Sequence, residues 1–185
     1  PLRTTTAAML AEAATLYPVR DAVMFVPTLQ YGMAGKGFQG EMLYTAPNPP
    51  YGAVFTYRLK DGLKTLKQKR TEAEAAAEKA GQPITYPTPE QLQAEAAEEP
   101  PAILLTISDA SGTPVRVMTG PLEKGLQRVA WDLRQPAHEL PPNRPRGELE
   151  ELFGEPLVGP FVVPGKYSVA LSQRVGGVLS SLGSP

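Results

Sequence analysis

Proline and glycine interrupt this chain too often for a helical bundle. There are 21 prolines and 17 glycines in 185 residues, about a fifth of the chain against a usual share of about 12%. Such punctuation suits short strands joined by turns. Apolar residues make up 42% of the chain, enough for one domain with a real core. Net charge is −1, so no global field draws nucleic acid or an anionic membrane, and no apolar run reaches the ~18 residues of a membrane span. Cysteine is absent, which removes both a disulfide frame and thiolate chemistry. The chain opens Pro1-Leu2-Arg3 without Met or a signal peptide and closes on Gly183-Ser184-Pro185. The expectation is a processed product or a piece of something longer.

The punctuated segments carry strand patterns. Residues 52–60 alternate, with Phe55, Tyr57 and Leu59 on one face. Residues 103–109 turn Ile103, Leu105 and Ile107 inward, and 114–119 turn Val115 and Val117 inward. Val129 and Trp131 share a face in 126–134, as do Tyr167, Val169 and Leu171 in 166–173. These thirteen side chains are the predicted core. Asp109-Ala110-Ser111-Gly112 and Gly176-Gly177 supply hairpin turns. Residues 20–30 have strand composition interrupted by Pro27, and 7–14 read as a short helix behind three threonines. Short strands at this spacing point to a mainly β sandwich.

Between residues 61 and 99 the period changes. Leu59, Leu63 and Leu66, then Ala73, Ala77 and Ala80, are spaced for one helical face that Gly81 stops. Thr88-Pro89-Glu90-Gln91 supplies a cap, a first-turn proline and a capping-box Gln. The first helix begins basic, with Arg58, Lys60, Lys64, Lys67, Lys69 and Arg70, and the second ends acidic, with Glu95, Glu98 and Glu99. Each arrangement opposes its own helix dipole. An antiparallel pairing would lay the basic start beside the acidic end, so the segment at about 61–99 is expected to be an inserted antiparallel helical hairpin. The organisation is thus a connector over 1–50 and a sandwich over 51–185 that carries the insertion.

Groups that could do chemistry are few. His138 is the single histidine, placed in a Pro-rich loop, and reads as a surface residue rather than part of a triad or metal site. Glu148, Glu150, Glu151 and Glu155 offer no preferred pair for glycoside hydrolysis. Asp109–Thr113 lacks the ligand count of a calcium loop. Trp131 reads as core, with Asp132 outward near Arg134 or a turn amide. Tyr31, Phe38, Met42, Tyr44 and Tyr51, interleaved with Gly32, Gly35, Gly37 and Gly40, form an aromatic stretch whose expected role is docking on a partner domain. No catalytic residue, cofactor or metal is assigned.

Asp109, Gly112, Val115-Arg116, Gly125, Val129, Trp131-Asp132 and Pro164-Gly165 with Tyr167 resemble the immunoglobulin-like domain of the flagellar hook-cap type, except that Leu133 stands where a glycine usually follows Trp-Asp. Together with NPPYGAVFTYRLKDGLKT (48–65) and YPTPEQL (86–92), the pattern is similar to the C-terminal region of bacterial secreted proteins with sialidase-like or sortilin-like β-propellers, often labelled glycosyl hydrolases. The resemblance implies an immunoglobulin/fibronectin-III-like β-sandwich, and a non-catalytic accessory module that buttresses a propeller outside the cell or in the periplasm. Its partners would be the N-terminal propeller of the same parent or another protein chain, with strand addition at the C-terminal edge. The competing expectation is the C-terminal part of a glycosidase or peptidase whose catalytic groups lie on the propeller.

Overall fold

The computed structural model describes residues 3, 5–25, 49–84, 86–137 and 158–182. In chain order these form α1 (Ala7–Ala11), β1 (Ala14–Leu16), β2 (Ala53–Leu59), α2 (Leu66–Lys79), α3 (Pro89–Ala97), β3 (Ala102–Ser108), β4 (Pro114–Gly120), β5 (Gly125–Trp131), β6 (Ser168–Val175) and β7 (Val178–Ser181). The protein is mainly β. Two antiparallel sheets, ordered β1-β2-β5 and β4-β3-β6-β7, face each other across one core.

Period-2 alternation explains the sheets. β3 turns Ile103, Leu105 and Ile107 inward, all essentially inaccessible, and β2 turns in Ala53, Phe55, Tyr57 and Leu59. Trp131 from β5 is 2% exposed, and Leu171 from β6 is equally buried. Val115, Val129, Tyr167 and Val169 pack on this core from its margin. Val117 does not: it is 54% exposed, against the sequence expectation. The reason is a β-bulge. Ile107 pairs with Arg116 but Ser108 pairs with Pro114, leaving Val115 as an extra residue. One extra residue rephases the strand, so Met118, opposite Leu105, takes the inward place.

Two turns fix the register. Gly176 and Gly177 have φ of +57° and +78°, the left-handed pair that a two-residue hairpin needs, and they set Val175 opposite Val178. Gly120 lies under Tyr57, where a Cβ would stand 2.3 Å from the phenol oxygen. That approach lets Tyr57 Oη donate to Pro121 O at 2.6 Å, fastening β2 to the connector between β4 and β5. Burial, and then the charge of Glu123, push the Tyr57 phenol up to about pKa 12.

The N-terminal segment lies on the outer face of the first sheet, where Thr15, Thr56 and Tyr17 are buried and Thr15 Oγ1 donates to Met9 O at 2.9 Å. Thr6 caps α1, its side chain accepting from Met9 N–H. The strand expected over 20–30 is not formed where it is described: residues 20–25 carry no regular structure, and 26–30 lie outside the described residues. β1 replaces the end of the helix expected over 7–14.

The helical insertion starts later than the leucine spacing suggests. Leu59 belongs to β2, and Leu63 N–H donates to Leu122 O at 3.0 Å. Thr65, with Gln68, forms the capping box that starts α2, and Thr88 with Gln91 starts α3. Gly81, at φ +67°, ends α2. Its N–H reaches Glu78 O at 3.0 Å and Gln82 N–H reaches Ala77 O at 2.9 Å, the two bonds of a Schellman stop. The helices are antiparallel. Arg70 grips Glu95 through Nε–Oε1 (2.6 Å) and Nη2–Oε2 (3.0 Å), and Glu98 Oε2 accepts from Leu66 N–H at 2.7 Å, placing a carboxylate on the start of α2. The acidic end of α3 thus offsets the unfavourable dipole placement. Neither helix has a buried residue, so the hairpin stands off the sandwich, tied back by Arg174 Nη1 to Glu99 Oε1 at 2.9 Å.

Candidate functional site

The hairpin leaves and rejoins the sandwich at the end marked by Leu59 and Ala102. At the opposite end, Ala53 lies beside Trp131, and Ile107 beside Val169. A cavity of about 720 Å³ opens there between the sheets. Phe55, Ile107, Trp131, Leu133, Val162 and Val169 line it, residues 19–24 and 162–168 wall it, and Arg20, Asp21 and Lys166 stand among the polar groups at its margin.

The wall is held by pairing that is distant in sequence. After β5, Asp132 Oδ1 accepts from Arg134 N–H at 3.1 Å, so Asp132 meets a turn amide as expected. Leu133 takes φ +60° and turns the chain. Trp131 Nε1 can then donate to Arg134 O at 2.9 Å, which satisfies the indole's single donor in the core. Beyond the turn, Val162 N–H donates to Leu133 O and Gln135 N–H to Pro160 O, both at 2.9 Å. Gly159 permits this approach, since a Cβ there would meet Gln135 O at 2.0 Å. Tyr167 meets Trp131 edge-on at 5.6 Å, and its hydroxyl donates to Val163 O at 2.6 Å.

This frame carries a row of rings outside the cavity. Arg134 lies 3.7 Å over the Phe161 ring and donates from Nη1 to Gly159 O at 2.8 Å. Phe161 meets Tyr51 edge-on at 6.5 Å, and Tyr51 meets Phe25 at 4.9 Å. Phe25, Phe161, Val23, Val158 and Val163 are all exposed. The two exposed phenylalanines, joined through half-buried Tyr51, make a contiguous apolar patch beside the open cavity, whereas scattered single apolar residues are the rule elsewhere on protein surfaces.

Of the residues expected to dock, Tyr51 is placed at the centre of this row. Tyr31, Phe38, Met42 and Tyr44 lie outside the described residues, as do His138, Glu148, Glu150, Glu151 and Glu155. Phe25, Arg134 and Phe161 were not singled out from sequence. Phe161 sits in an apolar run, Val158–Val163, whose role depends on pairing with residues 133–135 about 25 positions earlier. Among the described residues, no group of three His, Cys, Asp or Glu is placed to hold a metal ion, and no helix is long and apolar enough to cross a membrane. The Asp109–Thr113 turn is closed on itself. Asp109 Oδ1 accepts from Ser111 N–H, Ser111 Oγ and Thr113 N–H at 2.6–3.0 Å, and the Ser111 hydroxyl and these amides hold its carboxyl below the usual range. Comparison of the chain with protein families, with curated proteins and with solved structures returns no match.

Proposed function

We propose that this chain is a non-catalytic interaction module, an immunoglobulin-like sandwich that serves a larger secreted protein by docking through its aromatic end. The observation that carries the proposal is the row Phe25–Tyr51–Phe161, in which half-buried Tyr51 joins two exposed phenylalanines beside a cavity whose floor is core aromatic. Surfaces of this kind associate because apolar area leaves water on contact, and ring and arginine anchors concentrate the binding energy. The resemblance to propeller-associated regions supports a β-propeller of the same parent, or another protein chain, as the partner. It also supports an extracellular or periplasmic setting.

The test is titration of the chain with the separately produced propeller of its parent, followed by calorimetry. Tyr51→Ser and Phe161→Ser should each weaken binding by at least about tenfold, the scale of a ~1.4 kcal/mol anchor, with unchanged circular dichroism. Full binding by both variants would overturn the docking role. Turnover of glycoside or peptide substrates by the chain alone, abolished by replacing one of its acidic residues, would establish the competing enzymatic reading.

A further inference from the structure

At the cavity end, no described strand covers either sheet along one and the same side. The short connector 121–124 joins β4 to β5, so β1 and β7 terminate the two sheets on the other side. β1 covers β2 only along Tyr57–Leu59, with Tyr17 N–H reaching Thr56 O at 2.9 Å. β7 covers β6 along Ser172–Val175, and Leu182 N–H reaches Leu171 O at 2.8 Å. Among the described residues, Ala53–Phe55 and Ser168–Ala170 therefore have no paired strand on that side. Residues 18–25 run past the uncovered part of β2, as the Phe25–Tyr51 contact shows. Among the described residues, β6 is therefore the open edge.

Backbone parity says what this edge presents. In an antiparallel strand a residue's N–H and C=O point to one side, and alternate residues share it. Leu171 O points toward β7, so Val169 N–H and C=O point the same way, past the end of the β7 pairing. Val169's side chain meanwhile turns toward the cavity. Ser168–Ala170 contains no charge and no proline, the usual guards of an edge. The opposite edge of the same sheet has them, in Pro114, Arg116 and the bulge at Val115. Beside the open edge, Lys166 and Arg20 make no ion pair among the described residues, and only Asp21 opposes them at the margin.

We propose that Ser168–Ala170 of β6 accept an added strand from a partner protein: an extended segment that pairs with the Val169 backbone, turns a large apolar side chain into the cavity over Phe55 and Trp131, and carries an acidic residue toward Lys166 and Arg20. Strand addition takes its affinity from main-chain hydrogen bonds and its specificity from pockets for alternate side chains, and this end supplies both. The proposal rests on the interaction-module reading and names the chemistry of its partner.

The probe is the blocked peptide acetyl-Thr-Val-Thr-Phe-Thr-Val-Glu-Glu-amide, added to the whole chain. Trp131 is the single tryptophan and lines the cavity, so its fluorescence reports entry of the Phe. The expected result is a saturable fluorescence change together with slowed hydrogen exchange at Val169. Methylating alternate peptide nitrogens should weaken binding by at least about tenfold, and so should Val169→Pro, which removes the outward N–H without cutting a bond to β3. Exchanging the two Glu for Lys should weaken it as well. Binding that is indifferent to N-methylation, or no binding at all, overturns the proposal. So does slow exchange of Val169 without peptide, whether constant (the chain's own residues fill the edge) or rising with concentration (a second copy does). If the edge fails these tests while Tyr51→Ser and Phe161→Ser still impair propeller binding, strand addition is wrong and the docking role stands.

Discussion

Leu133 holds φ +60° with its side chain buried. An L-residue there is strained by about 1 kcal/mol or more, yet Leu packs against the core, and burying such a side chain is worth ~1.5–3 kcal/mol. The two effects can be separated. Leu133→Ala loses the packing and keeps the strain, whereas Leu133→Gly loses the packing and relieves it. Both should lower stability in denaturant melts, but the glycine variant should be the more stable by about 1 kcal/mol, the reverse of their usual order in structured segments. Tyr57 makes a second residue-scale prediction. Its folded pKa is raised to about 12 from about 10 in the unfolded chain. Its contribution is therefore complete below pH 10 and is lost as pH rises through 12, by about 1.4 kcal/mol per pH unit. Tyr57→Phe should be less stable at neutral pH by ~1–3 kcal/mol, because Pro121 O loses its donor. The gap to wild type should narrow between pH 10 and 12.

Among the elements, the helical hairpin depends most on charge. Arg70 holds the Glu95 carboxyl below its ordinary value through their paired hydrogen bonds. A lowered folded pKa means stabilisation that is present above the unfolded value, about 4.3, and lost as pH falls through the folded one. Helical circular dichroism should therefore fall below about pH 4 before the sandwich unfolds, and Arg70→Ala should cause the same loss near pH 7. Removing 64–97 with a short closing linker should leave a cooperative sandwich, since loop length costs little; a non-cooperative melt would show that the hairpin belongs to the core. Its charge pairing was legible in sequence because helix caps and charge spacing are local. The alternating strands were legible for the same reason, and their inward faces followed. What escaped depended on distant neighbours. The bulge that exposes Val117 exists only in the pairing of β4 with β3. β1 is three residues long and is a strand only because β2 lies beside it. At the site, Tyr51 stood out in its aromatic stretch, but Phe161 becomes its companion only through the pairing of 133–135 with 160–162, and Phe25 only through the path of 18–25 past β2.

At the scale of the whole molecule, the sandwich has one core and the hairpin adds nothing to it. In hydrogen exchange the slowest amides should be those of β2 and β3, at residues such as Tyr57 and Leu105, which open only with global unfolding. Those of α2 and α3 should exchange through local opening at lower free energy. Equal protection in both regions would mean that hairpin and sandwich form one cooperative unit. The placement of the hairpin has a further consequence for descent. Because it leaves from Leu59 and returns at Ala102 at the end remote from the aromatic row, its length is free to drift. Insertions and deletions among descendants of this gene should accumulate around Gln82–Pro87, while the spacing from Trp131 to Arg134 stays fixed. The same tip is where a reporter sequence could be spliced in with the opposite end left undisturbed.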